Sequence, residues 1–397
     1  MSIGADLKRV DPFIFTISLG HTFTHWYPAT FFIILPYLAK DLGLSYSQAG
    51  FLITLQSLAG TLINLPAGVV VDVIGKTSLI MVISLAGAGI PYFFLGLVEN
   101  YYIILFCMVF IGVGNFLWHP PAMSILSARY PDRRGFALAI HSLGANLGDT
   151  VAPLVIGLTL TFISWRTSLF FNIIPGLLMG FILWRFLFNQ SGSPNEIKGE
   201  SPNISLKNYW MGIRGLVRNK DFIFLSLLSG LRAMTQNGLA TFLPIYLVKE
   251  LNLNPALVGS YIAVMQGAGI ASSPFSGWVS DKRGRKPVVN AGLFITSIII
   301  FLLVFLNMRW LFIAVMAFLG FFLYSLRPVI FAWIMDATPK EMGGTTVGIL
   351  FGVQSLFMTI SPFVCGIIAD HFGLTMAFYF LAVTILCANI LTFFVKK

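Results

Sequence analysis

"LPYLAKDLGLSYSQAG", residues 35–50, is answered by "LPIYLVKELNLNPALVG", residues 243–259. A shift of 209 lays Lys40 on Lys249, Asp41 on Glu250 and Gly50 on Gly259. The same shift joins Gly68 to Gly277, Asp72 to Asp281 and Gly75 to Gly284. Late in each half it joins Thr150 to Thr359, Pro153 to Pro362 and Gly157 to Gly366. Chance does not hold one offset across that length, so the chain reads as two parallel copies of one unit.

The copies are strongly apolar. Hydrophobic residues make up 57% of the 397, charged residues 10%, and mean hydropathy is +0.86. A helix needs about 20 apolar residues to cross a bilayer core. About twelve stretches qualify, near 12–38, 47–71, 77–97, 101–127, 136–163, 166–188, 221–248, 256–280, 287–306, 309–335, 344–368 and 373–394. The sequence predicts an all-α membrane protein with twelve spans in two pseudo-symmetric six-helix bundles. These are residues 1–188 and 221–397, joined by a cytoplasmic linker at 189–220. That linker contains the polar stretch "NQSGSPNEIKGESPNISLKNYW", 189–210. The first apolar run is too long for the ~7–15-residue core of a cleavable leader, and none is expected. Cys107, Cys365 and Cys387 all fall in apolar runs and suggest no disulfide framework.

The net charge of +10 raises the question of nucleic acid. Placing the N-terminus in the cytoplasm assigns 19 of the 25 lysines and arginines to the inner side. The outer side keeps Lys40, Arg166, Lys249 and Arg309, while Arg232 and Arg327 lie within spans. Topology accounts for the charge, so no nucleic-acid partner is expected. The protein should sit in the cytoplasmic (inner) membrane with both termini inside, as a monomer.

"GVVVDVIGKTS", 68–78, ends in Gly75-Lys76-Thr77 like a phosphate-binding loop. That loop also needs a glycine at position 70, which is Val70, so nucleotide binding is rejected. Its partner "GWVSDKRGRK", 277–286, resembles the loop signature of the major facilitator superfamily. The second copy is nearly complete, with Gly277, Asp281, Arg283, Gly284, Arg285 and Lys286. The first is degraded, with Gly68, Asp72 and Gly75 retained but Val73 and Ile74 where polar residues are usual. The resemblance implies a gating motif. Glycine would permit close helix approach, and the carboxylate would cap a helix or pair with a cation. "GANLGDTVAPLVIG", 144–157, resembles the fifth-helix pattern of the same superfamily. A histidine in span one, "HP" in span four and "GANLGD" look most similar to its fosmidomycin-resistance-type branch.

Ionisable groups inside spans carry the functional reading, because each costs roughly 2.5–3.5 kcal/mol at mid-membrane unless a partner or cavity receives it. They are His21 and His25 in span one, His119 in four, His141 and Asp149 in five, Arg232 in seven and Arg327 in ten. Ser142, Asn146, Asp149 and Thr150 give span five one polar stripe. A shift of 208 lays His119-Pro120 on Arg327-Pro328, a cation before a proline in both halves. His21 and His25 share a helix face, but no matching carboxylate or cysteine is near in sequence, so no metal site and no cofactor are expected.

No nucleophile elbow or zinc spacing is present, and no enzyme is expected. The expected function is secondary transport by alternating access of a small organic anion, coupled to protons. The expected substrate-binding residues are Arg232, Arg327, His119, His21, His25, Trp26, Tyr27, Trp118, Gln236 and Asn237. Asp149 and His119 would carry the coupling proton. Alternatives on the same fold are export of an antibiotic or other amphiphile against protons, and lipid flipping.

Overall fold

A computed structural model describes residues 11–74, 77–188, 213–306, 309–339 and 342–396. Among these the chain is helical without strands. In order the helices are α1 (Pro12–Asp41), α2 (Tyr46–Ile74), α3 (Thr77–Leu97), α4 (Tyr101–Leu117), α5 (His119–Arg129), α6 (Arg134–Thr159) and α7 (Trp165–Phe188). The second half holds α8 (Lys220–Lys249), α9 (Pro255–Arg283), α10 (Arg285–Leu303), α11 (Arg309–Asp336), α12 (Gly343–Phe372) and α13 (Leu374–Phe394). Each expected span coincides with a helix, α4 and α5 together making up the fourth. Most of the expected linker, through residue 212, lies outside the described residues.

By length and composition alone, eight spans among the described residues are apolar enough to cross a membrane. Helices α1, α2, α6 and α8 are not among them, whereas α5 with His119 and α11 with Arg327 belong to spans that are. Polar side chains kept along a helix lower its mean hydropathy, because part of its surface is reserved for something other than lipid or apolar packing.

Helix ends follow local chemistry. Asn100 caps α4 through its side chain, Asn219 caps α8 and Asn254 caps α9, each accepting from backbone amides of the first turn. Gly284, at φ +90°, separates α9 from α10, and Gly373, at φ +89°, separates α12 from α13. Only glycine enters that region without strain.

Contacts divide the described residues into two compact units. One holds α1 as far as Ile34, α2 from Leu55, and α3 to α7. The other holds α8 to α13 together with Leu35–Thr54. In the second unit the Asp370 carboxylate of α12 accepts from the Tyr46 and Ser47 amides at 2.7 and 2.9 Å, and so caps α2.

Lipid-buried helices gain little from the hydrophobic effect between themselves, so small residues and tight packing hold them. In the first unit α4 lies on α2 so closely that a Cβ on Gly112 would overlap the Gln56 carbonyl oxygen. In the second unit α11 lies on α9 in the same way, at Gly320 and the Met265 carbonyl oxygen. Gly112 and Gly320 differ by 208 and Gln56 and Met265 by 209, so the sequence repeat is also a packing repeat.

Candidate functional site

The two prolines of "HPP" shape the fourth span. Pro120 and Pro121 lack the amide hydrogens that would continue the ladder, so α4 stops at Leu117 and α5 starts at His119. Trp118 between them keeps right-handed helical angles, φ −64° and ψ −42°, so the interruption lies in the hydrogen bonding and not in the local winding. The matching Arg327-Pro328 sits inside an unbroken α11, where a single proline removes a single donor. Trp118 is fully buried, and its ring fills the space that the missing side chain of Gly20 leaves on α1.

Two glycines then bring α6 against α1. A Cβ on Gly144 would overlap the Ser18 carbonyl oxygen, and one on Gly148 would overlap the Thr22 carbonyl oxygen. This Gly-x-x-x-Gly contact places His141 and Asp149 of α6 beside His21 and His25 of α1. Nδ1 of His25 lies 3.1 Å from both carboxylate oxygens of Asp149. Nδ1 of His21 lies 2.9 Å from the His141 carbonyl oxygen. The His21 and His141 rings stack with centroids 3.9 Å apart. His119 approaches His21 edge-on at 5.2 Å and lies tilted, 6.2 Å from His25. Four of the five histidines in the chain thus gather in one place. Asp149 is the carboxylate among them, and its partner is His25. His25 and Asp149 each keep about a third of their side-chain surface accessible, whereas His21 and His141 are buried.

The aromatic residues expected at the site divide. Trp26 is half-buried and donates from Nε1 to Asn172 Oδ1 at 2.8 Å. Asn172 in turn donates to the Ser168 carbonyl oxygen, which fixes its amide. Nothing in the sequence marks Asn172 for this role. Tyr27 faces the other way. It is fully buried beside Tyr92, in the space left by Gly89 and Gly176, and its backbone carbonyl accepts from the Tyr92 hydroxyl. Ser142 and Thr150 return their hydroxyls to carbonyls four residues back, which satisfies them within α6.

In the second unit Arg232 of α8 is only 2% exposed. Its Nη1 donates to Gln236 Oε1 at 2.8 Å and to the Leu323 carbonyl oxygen at 3.4 Å. Its buried Nε has no hydrogen-bond acceptor, and no carboxylate reaches it among the described residues. Arg327 and Tyr324 are its electrostatic neighbours, with Arg327 exposed on α11. Asn237 instead ties α8 to α12 by donating to the Met358 carbonyl oxygen at 2.7 Å.

The second loop motif is built around Arg285. It pairs with Asp281 of α9, reaches Asp336 at the end of α11 at 3.3 Å and donates to Ser280 Oγ at 2.7 Å. Asp336 escaped the sequence reading because it lies outside the motif. Arg283 is exposed. A Cβ on Gly277 would meet nothing within 4 Å, so this glycine makes no close helix contact within its unit. Of the first copy, Gly75 and the side-chain surroundings of Gly68 and Asp72 lie outside the described residues.

Apolar helices in repeated halves, holding a buried arginine and a His–Asp pair and showing no hydrolytic or nucleotide motif, define the class of a multi-pass membrane carrier. The Major Facilitator Superfamily model matches residues 15–271 and 225–397, and the chain belongs to that family. It is a transporter and not an enzyme. It is similar to the fosmidomycin resistance protein of Escherichia coli (strain K12), at 22% identity over 91% of this chain and 87% of that one. It is also similar to the sialic acid transporter NanX of the same strain, at 22% identity over 95% of this chain and 92% of that one. Among solved structures, a bacterial homologue of the human lysosomal transporter Spinster, inward-facing and occupied, superposes with a TM-score of 0.81. It is 17% identical and covers 96% of both chains. At that identity the likeness speaks to the fold.

Proposed function

We propose that the chain is a secondary active transporter that moves a small organic anion across the cytoplasmic membrane, coupled to protons, by alternating access. Arg232 carries the anion part of this reading. A guanidinium stays charged under any physiological condition, and burying it without a counter-ion is costly. A carboxylate, phosphate or phosphonate accepting from Nε and the remaining amino group would complete its hydrogen bonding in bidentate fashion. Gln236 holds the guanidinium in place, and Arg327 adds positive potential nearby. A relative named for sialic acid, itself a carboxylate, supports the class.

The proton part rests on the His25–Asp149 pair. A carboxylate and an imidazole in contact can share one proton, and both keep part of their surface accessible for exchange. The topology that goes with this reading has both termini in the cytoplasm, the linker 189–220 on the same side, and residues 1–188 and 221–397 as the two halves. The protein works as a monomer. The Asp281–Arg285–Asp336 cluster acts as the inner gate of the second half, breaking and reforming during the cycle.

The test is a thermal-shift screen of the purified protein against sialic acid and fosmidomycin, followed by flux of any stabilising compound in proteoliposomes. Stabilisation of the wild type by an organic anion and its loss in Arg232→Gln is the expected result. Stabilisation that survives in Arg232→Gln would overturn the anion assignment.

A further inference from the structure

We infer that His21, His25 and His119 form a binding site for one divalent transition-metal ion of the zinc class. One ring nitrogen from each of the three lies within 4.8 Å of the others. Three imidazoles bound to a tetrahedral ion at about 2.0–2.1 Å bring their nitrogens to roughly 3.4 Å from one another.

A carbonyl oxygen only accepts, so the His21 nitrogen facing the His141 carbonyl carries the hydrogen. When Asp149 is ionised, the His25 nitrogen facing its carboxylate is likewise the donor. In a neutral ring the other nitrogen, Nε2, then holds the lone pair that a metal needs. Nε2 of His21 is buried and has no hydrogen-bond partner, on a side chain 94% removed from solvent by its 6% exposure. A histidine held by a backbone carbonyl and a second held by a carboxylate through their far nitrogens are the supports that metal-ligating histidines ordinarily use. His119 enters from α5 as the third ligand. His141, stacked behind His21, stays outside the set and positions His21 through its carbonyl.

The ligand set selects the metal class. Imidazole nitrogen suits zinc, copper and nickel, and magnesium and calcium demand oxygen. Asp149 offsets part of the divalent charge from the outer shell. Three protein ligands leave a fourth position for water or another small donor. His21, His25, His119 and Asp149 all belong to the first unit. The ion would compete with protons for the same ring nitrogens.

Tag-free, full-length protein stripped with EDTA and titrated with zinc against a chromophoric chelator tests the site. One zinc per chain is expected. His25→Gln and His119→Gln should each weaken binding at least ten-fold, and Asp149→Asn about 10–100-fold, the usual effect of removing an outer-shell support. His371→Gln, exposed on α12, should change nothing. Cobalt in the wild type should give the intense visible absorption of a four-coordinate ion, a readout that needs no variant to fold. Absence of a stoichiometric site, retention of zinc in His119→Gln, or the pale spectrum of hydrated octahedral cobalt would overturn the inference. Proton-driven flux is measured separately, so loss of the metal site and loss of coupling are distinguishable.

Discussion

Asp149 on α6 holds His25 on α1 by both carboxylate oxygens, each 3.1 Å from Nδ1, and two glycines make that contact possible. Gly144 and Gly148 let the helix backbones approach until the Ser18 and Thr22 carbonyl oxygens occupy the space of the missing side chains. The same approach sets His21 against His141. Packing and site are therefore one arrangement, and disturbing the first should disturb the second.

Gly144→Ala and Gly148→Ala are expected to destabilise the protein by about 1–3 kcal/mol, the usual cost of overpacking. Gly352→Ala, on α12, meets nothing within 4 Å and should change stability by no more than about 0.5 kcal/mol, or raise it through helix propensity. Thermal unfolding in detergent separates the two cases. Equal melting temperatures for all three variants would contradict the packing account.

Arg285→Gln removes the cation shared by Asp281 and Asp336. Both carboxylates are exposed, so the loss of stability should stay under about 1 kcal/mol. The transport rate should nonetheless fall several-fold with substrate affinity unchanged, because the cluster acts in the cycle and not in binding. Initial rates and a binding titration on the same preparation check this. A changed affinity with an unchanged rate would contradict the gating role.

Asp11, just before α1, faces Tyr130 just after α5. Burial alone would raise its pKa. The Tyr130 hydroxyl and the Phe13 amide, both donating to the carboxylate, together with Arg129 nearby, outweigh that and hold it below the usual carboxylate value. Tyr130 is correspondingly pushed up to about 12, by its own burial and by the carboxylate it donates to. A depressed carboxylate pKa contributes stability that is complete above the unfolded value, near 3.9, and is lost as pH falls through the folded value. Between pH 5 and pH 3, the wild type should lose more melting temperature than Asp11→Asn. Parallel curves for the two would contradict the assignment.

Much of this was legible in the sequence. The 209-residue repeat and the apolar runs predicted twelve spans in two copies, and the helices follow them, several being bounded by capping asparagines or by glycines. The intramembrane ionisable groups also announced themselves, since lipid makes each of them costly. Their partners did not. His21 and His119 are 98 positions apart, and the contact that joins them depends on Trp118 seating on Gly20, which no periodicity reveals. Asp149 could be read as a titrating group, but pairing it with His25 required the crossing point of α1 and α6. Tyr27 looked like Trp26 in sequence. One residue of rotation, about 100° on a helix, turns it into the bundle interior against Tyr92. The first loop motif falls largely outside the described residues, and Gly277 of the second makes no close contact in its unit.

Arg232→Gln and Arg232→Lys should differ. Lysine keeps the charge but loses the planar fork, so anion affinity should fall about ten-fold with lysine and at least a hundred-fold with glutamine. Calorimetric titration with the best-stabilising organic anion measures both. Equal affinity in wild type and Arg232→Gln would remove Arg232 from the site.

The most direct measurement is proton movement accompanying organic-anion flux in proteoliposomes loaded with a pH-sensitive dye. The account predicts that addition of the anion to wild-type vesicles moves protons. It predicts that Asp149→Asn still exchanges labelled for unlabelled anion but moves none. Proton movement in Asp149→Asn equal to that of the wild type would contradict it.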